Sequence, residues 1–247
     1  MEKEKLIKKV LDKGSIEVVD FLGNDLTVVN SARVSFGKRK TVLSEGDKIL
    51  IRFLAENKHY SPFRHLVVQF HIKAPEFVMR QWYKHVVGIE YTSSYPTKDH
   101  AWNEISGRYV PVSDFYEPAF WRAQSQDNKQ ASEGTIEKQE TANEVFKNAM
   151  SNLLDSYEKL LELGVAKEQA RIMLPLNQYT EIFWTASFQA IMNFIELRDE
   201  PHAQWEIREY ALAIKDMMLK LYPETTRIFL EVMDVMKKFT EQGKTIK

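Results

Sequence analysis

The chain has 247 residues, 44% hydrophobic and 28% charged, which is enough apolar material for a full core without disulfide or metal staples. Lys plus Arg number 34 and Asp plus Glu 35, and the net charge of −1 argues against a general nucleic-acid binder, although a local basic cluster can still grip a phosphate. Cysteine is absent, which excludes disulfides, thiolate metal sites, iron–sulfur clusters and every mechanism that needs a Cys nucleophile.

The N-terminus, Met1-Glu2-Lys3-Glu4-Lys5, is charged and no apolar h-region follows it, so no signal peptide is expected. Ser15 to Asp20 alternate after Gly14 and predict a short strand. Asn24 or Asp25 caps a helix running through Ala32. Ser44 with Asp47 three residues on resembles a capping box, and Ile49, Leu50, Phe53 and Leu54 give the next helix an apolar face. Pro62 breaks the chain. From His65 to Lys73, Leu66, Val68, Phe70 and Ile72 alternate with other residues as in a strand. Pro75 stands at N1 of a helix that carries Arg80, Gln81, Lys84 and His85.

Residues 88–102 read as a loop, and Gln124 to Gly134 as a polar surface crossing. Beyond these everything reads helical: Thr135 to Leu163 ending at Gly164, Lys167 to Leu174 before Pro175, and Thr180 to Leu197. A further helix runs from His202 to Leu221, with Trp205, Tyr210, Ile214, Met217 and Leu221 on one face, and the last begins after Pro223. Ile182 to Leu197 is the most apolar stretch, but Gln189, Asn193 and Glu196 make it too polar and short for a membrane span. The expectation is one α+β domain over residues 1–247, rich in helix, cytoplasmic, with neither membrane nor nucleic acid as partner.

Arg80, Gln81, Lys84 and His85 are spaced to share one side of a helix, and Asn103-Glu104-Ile105-Ser106-Gly107-Arg108-Tyr109 is a compact polar run around a glycine. Together they suit an anionic ligand with a planar ring: cations for phosphate, amides for ring edges, a hydroxyl and backbone N–H groups for the rest. Taken alone, the same residues also describe a solvated helix face followed by a turn. His59, His65 and His71 match no metal-ligand motif, which leaves them structural or hydrogen-bonding roles. Ser106 lacks the surroundings of a nucleophile elbow, and no glycine-rich phosphate loop is present. Arg171 and Arg198 lie in apolar segments. Each needs an anionic partner, either a protein carboxylate such as Glu168 or Glu196 or a ligand.

At these residues the sequence resembles the flavin-dependent thymidylate synthases. The landmarks are Asn24-Asp25-Leu26 with Ala32 to Phe36, His59-Tyr60-Ser61-Pro62-Phe63, and Phe77 to Trp82. Asn103 to Tyr109 follows with its Glu-x-Ser-x-Arg pattern, then Arg171 to Asn177, Asn193 to Arg198, and His202 to Glu206. The resemblance implies a helix-rich fold with a small antiparallel sheet and a homotetramer whose active sites are shared between subunits. It implies FAD as cofactor and conversion of dUMP to dTMP, with methylenetetrahydrofolate as carbon donor and NADPH as reductant. It fits the missing cysteine, since the cofactor carries the redox chemistry and the protein supplies binding and electrostatics. Arg198 is implied at the uracil carbonyl and N3, His59 close to the isoalloxazine, and Ser106 beside them. Ser106, Gly107 and Arg108 are implied to hold dUMP with Glu104 and Ile105, helped by Gln81, Trp82, Tyr83, Lys84 and Arg171. Ser61, Lys84, His85, Val86, Glu104, Ser187, Gln189 and Asn193 are implied at the flavin.

Three departures stand out. The family's Arg-His-Arg is Lys84-His85-Val86 here, and the segment from Val87 to Ile105 carries a 12-residue insertion in which Lys98 and His100 offer replacement cations. Where the family commonly has Asn-x-Arg toward FAD, this chain has Ser187-Phe188-Gln189. If these changes cost the flavin its site, the alternative is a non-catalytic relative that binds dUMP.

Overall fold

Residues 6–85, 101–110 and 113–241 are described by a computed structural model. Strand β1 (Ile7–Val10), which sequence patterning missed, turns tightly into β2 (Gly14–Leu22). Gly14 is required there. A Cβ at this position would stand 2.0 Å from the hydroxyl of Tyr210, which itself donates to the backbone carbonyl of Lys73 at 2.8 Å.

Helix α1 (Asp25–Arg33) starts at Asn24, whose capping box with Thr27 includes a 3.0 Å bond from the Asn24 N–H to the Thr27 hydroxyl. Helix α2 (Glu45–Glu56) starts the same way at Ser44, with Asp47 accepting from the Ser44 N–H at 2.9 Å. Burial by itself would raise the pKa of Asp47. Hydrogen bonds from Ser44 and Arg33 and the nearby Lys40 charge outweigh that and hold it at about 2. Because Asp47 is drawn inside, the buried stripe of α2 is Asp47, Ile51, Leu54 and Ala55. The expected face was rotated from this one, and Ile49 and Phe53 are exposed.

A 3-10 turn, Ser61–His65, leads into β3 (Val67–Pro75), where Val68, Phe70, Ile72 and Ala74 point inward as the alternation required. Helix α3 (Glu76–Trp82) is short, with Pro75 as its N-cap residue rather than N1. Strand β4 (Ala101–Glu104) takes up Ala101 and Trp102, which had been placed in a loop; the rest of that loop lies outside the described residues. The polar crossing is largely a hairpin of β5 (Arg122–Gln124) and β6 (Ser132–Thr135). Thr135 therefore closes a strand, and helix α4 (Gln139–Glu162) begins four residues later than expected. Helix α5 (Lys167–Ala170) gives way to a 3-10 turn at Arg171–Met173.

The main correction concerns Thr180 to Leu197, which is a strand and a helix. Strand β7 (Tyr179–Ser187) buries Thr180, Ile182, Trp184 and Ala186 on one face, a period of two carried by β-branched and aromatic residues. Ser187 then caps α6 (Phe188–Arg198), its hydroxyl accepting from the Ala190 N–H at 3.3 Å. Helices α7 (Trp205–Leu221) and α8 (Pro223–Glu241) follow.

The main sheet is antiparallel, in the order β1-β2-β3-β7-β4. Buried residues of α1, α2, α3, α6, α7 and α8 cover one of its faces in a single core cluster. Its other face carries Gln69, His71, Glu181, Phe183 and Thr185 at partial exposure. No helix among the described residues is long and apolar enough to cross a membrane.

Candidate active site

Arg198 ends α6, where a cation opposes the negative end of the helix dipole. Its Nε donates to Nε2 of His85 at 2.9 Å. Among the described residues no other hydrogen bond or ion pair engages this guanidinium. His85 is placed by the bond from its N–H to the Trp82 carbonyl at 2.8 Å and by an edge contact of its ring with Phe194. The imidazole must be neutral to accept. Burial first, and the Arg198 charge second, push its pKa down from 6.5 to about 4, while burial also lowers that of Arg198.

This pair has a pH signature. An unfolded His85 takes up a proton near 6.5, and the folded one resists until about 4, so its stabilisation is intact above 6.5 and is lost as pH falls between those values. Urea midpoints measured across that window should fall more steeply for the natural chain than for His85→Gln, which keeps an acceptor that does not titrate. Equal slopes would show that His85 titrates normally.

The four-residue helix face expected from Arg80, Gln81, Lys84 and His85 does not form. Helix α3 ends at Trp82, and Tyr83, Lys84 and His85 turn away beyond it. Arg80 and Lys84 are exposed. Trp82, expected at the substrate, has its side chain in the core instead, 1% exposed and stacked on Phe194 at 4.4 Å between ring centroids. Tyr83 is half exposed, its ring edge-on to Trp102.

Gln81 is tethered from behind. Its amide bonds Gln204, which donates to Glu206 at 3.0 Å. Glu206 is buried and also accepts from Arg122 at 2.8 and 2.9 Å and from the Tyr116 hydroxyl at 3.2 Å. The hairpin thus supplies the cation that permits a buried carboxylate behind Gln81. Arg122 and Tyr116 were invisible to sequence reading because their only signal is this long-range pairing.

Strand β4 aims the polar run. Glu104 accepts from the Thr180 hydroxyl at 2.8 Å. Burial, and the Glu104 carboxylate beside it, raise the pKa of Glu76 at the start of α3. The chain then turns at Ser106, whose carbonyl takes the N–H of Tyr109 at 2.9 Å. The Ser106 hydroxyl accepts from both the N–H and the Nε of Arg108 at 3.3 Å, and Arg108 lies over the Tyr109 ring. Among the described residues no base contacts that hydroxyl.

A third group surrounds the Ser61–His65 turn. His59 and Ser61 are exposed there. Gln189, one residue into α6, is buried, and its Oε1 accepts from Arg64 Nε at 2.6 Å. A guanidinium thus reaches Gln189 from position 64, directly after the His59–Phe63 segment. Asn193, one helical turn beyond Gln189, is half-buried with no side-chain partner among the described residues. The Arg64 cation beside Gln189, with the Asn193 amide one turn on, fits the phosphates and ring edges of a flavin nucleotide.

Arg171 stands apart from all three groups in a single chain: it is exposed, its Nε donating to the Glu168 carbonyl at 3.2 Å. Val86, Lys98 and His100 lie outside the described residues. Among the described residues no group of three or more His, Asp or Glu is placed to hold a metal, and His71 pairs with Glu181 at 3.1 Å.

Comparison with known proteins adds to this geometry. A family profile described as thymidylate synthase complementing protein matches residues 17–224. A flavin-dependent thymidylate synthase of Thermosipho melanesiensis is 43% identical, the match covering 90% of this chain and 93% of that protein. Another, from Thermosipho africanus, is 40% identical with 97% of each covered. Among solved structures, the UMP/dUMP methylase PolB of Streptomyces cacaoi bound with 5-Br dUMP is similar with a TM-score of 0.77 and 28% identity, over 91% of this chain and 97% of that one.

Proposed function

Because the chain belongs to the flavin-dependent thymidylate synthase family, we propose that its three residue groups divide the work of that reaction among them. The protein is an FAD-dependent methyltransferase that converts dUMP to dTMP, with methylenetetrahydrofolate as carbon donor and NADPH as reductant. The Arg198–His85 pair carries our assignment of roles. Arg198 donates to the uracil carbonyl beside N3 and stabilises negative charge as the ring is polarised, and His85, neutral, orients the guanidinium by accepting from Nε. With no cysteine in the chain, ring activation rests on this electrostatic contact and not on a thiolate.

Ser106, Gly107 and Arg108 bind dUMP, with Arg108 on the phosphate and Glu104 and Ile105 leading into the turn. Gln81, oriented by Gln204 and Glu206, binds the same nucleotide from another subunit, together with Lys84 and Arg171. FAD, when bound, supplies the redox chemistry; Arg64, Ser61, Gln189 and Asn193 hold it, with His59, Glu104, His85 and Ser187 nearby. A homotetramer with shared sites belongs to the same proposal. It is supported by the exposure of Lys84 and Arg171 and by the apolar Ile172, 81% exposed beside Arg171. A cytoplasmic location completes the reading, since the enzyme draws on intracellular nucleotide and NADPH.

The visible absorption spectrum, followed by FAD titration with and without dUMP and then a dTMP assay, tests the assignment. Flavin should bind, and its spectrum should shift on adding dUMP. Absence of flavin binding in both conditions would leave a nucleotide binder without catalysis. Arg64→Ala should weaken FAD roughly tenfold, the worth of one charge-assisted hydrogen bond. Unchanged flavin affinity in a fluorescence titration would remove Arg64 from the site.

A further inference from the structure

The chain carries a formal charge of −1, yet three consecutive residues, Lys38, Arg39 and Lys40, concentrate positive charge at the rim of a cleft of about 870 Å³. The cleft lies between α1 and the segment that follows it, with Leu26 and Val34 as apolar surface and His65 at one end. No carboxylate lines it.

This loop is built. Gly37 adopts a left-handed φ of 62°, and its N–H closes on the Val34 carbonyl at 3.0 Å. The Asn30 side chain clamps Lys40 from both sides, accepting from its N–H at 2.7 Å and donating to its carbonyl at 3.0 Å. Buried Asp47 then engages Arg33 at 2.7 Å and Lys40 at 3.6 Å. Lys40 is thereby an anchor, whereas the exposed side chains of Lys38 and Arg39 have no partner among the described residues. Two uncommitted cations on a shaped loop over an apolar strip form a receptor for a phosphate attached to a flat ring.

We propose that this cleft binds the 2′-phosphorylated adenosine end of NADPH, with Lys38 and Arg39 on the 2′-phosphate and the adenine against Leu26 and Val34. The inference rests on the functional reading above, which makes NADPH a co-substrate. The cleft shares the Ser61–His65 turn with the residues assigned to the flavin, so a dinucleotide anchored here runs toward the group it reduces. A phosphate-specific anchor also gives the enzyme a physical basis for choosing NADPH over NADH.

The test is calorimetric titration of the full chain with adenosine 2′,5′-bisphosphate, which needs neither flavin nor turnover. Saturable binding is expected, roughly tenfold or more tighter than that of adenosine 5′-monophosphate, and Lys38→Ala with Arg39→Ala should remove the difference. In steady state the same double variant should lower the ratio of kcat/KM for NADPH to that for NADH by a similar factor. Failure of the bisphosphate to bind, or equal binding to both proteins, overturns the proposal. So does displacement of the bisphosphate by an oligo-γ-glutamate together with an unchanged NADPH:NADH ratio, which would assign the cleft to the folate tail. A natural chain that binds the bisphosphate but makes no thymidylate would count against the functional reading and leave this site standing.

Discussion

Arg198→Ala should lower kcat/KM for dTMP formation by about a hundred- to a thousandfold, the range found when a preorganised donor at a developing charge is deleted. The reason is geometric. His85 accepts from Nε, which restrains the guanidinium and, in the proposed role, presets its terminal nitrogens for the uracil carbonyl. A guanidinium fixed beforehand costs no reorganisation as charge develops on the ring. Arg198→Lys keeps the charge but has a single, rotatable head and no Nε for His85, so it should recover little of the lost activity. FAD should remain bound in both variants, because Arg64, Gln189 and Asn193 lie on the other side of the assignment. Flavin absorbance and dTMP yield, measured on the same sample, check both halves. Near-normal turnover by Arg198→Ala would sink the role, and loss of flavin would move Arg198 into the cofactor site.

Trp82→Ala should destabilise the fold by about 3–5 kcal/mol, the usual cost of emptying a buried aromatic site. The ring stacks on Phe194 and meets Trp184 and Tyr210 edge-on at 5.5 and 5.8 Å, which joins α3 to β7, α6 and α7. Its indole N–H is buried with no hydrogen-bond partner among the described residues, an unfavourable feature that Trp82→Phe would remove. Phe should therefore cost well under half of what Ala costs. Urea unfolding of the two variants makes the comparison directly, and equal losses would mean that the site collapses around either side chain. Trp82→Ala should also loosen His85, which hangs from the Trp82 carbonyl and leans on Phe194.

The parts of this fold legible in the sequence were those with a local cause. Capping residues placed the starts of α1 and α2, and alternation placed β3. Thr180 to Leu197 failed because two apolar periods abut without a glycine or proline between them. The change from period two to helical spacing is marked only by Ser187 acting as a cap. The buried stripe of α2 was misjudged because its anchor is Asp47, a charge that patterning assigns to the surface. At the site, the motif order is what put forward Arg198, Glu104 and Ser106 to Arg108, since short motifs are local in the chain. What reading could not reach were partners from distant segments: Arg64 for Gln189, His85 for Arg198, and Arg122 for Glu206. Their sequence separations leave no local pattern.

The bond between Arg64 and Gln189 also limits the order in which this region can change. An arginine introduced at 189 would set a second guanidinium against the first, in a place where Gln189 is buried. Changing Arg64 first would strip the pocket of its cation. Each single step is therefore a loss, and the two arrangements are connected only by paired substitution or through a form that holds cofactor weakly. Gln189→Arg alone should therefore lower the urea midpoint, and pairing it with Arg64→Gln should restore it.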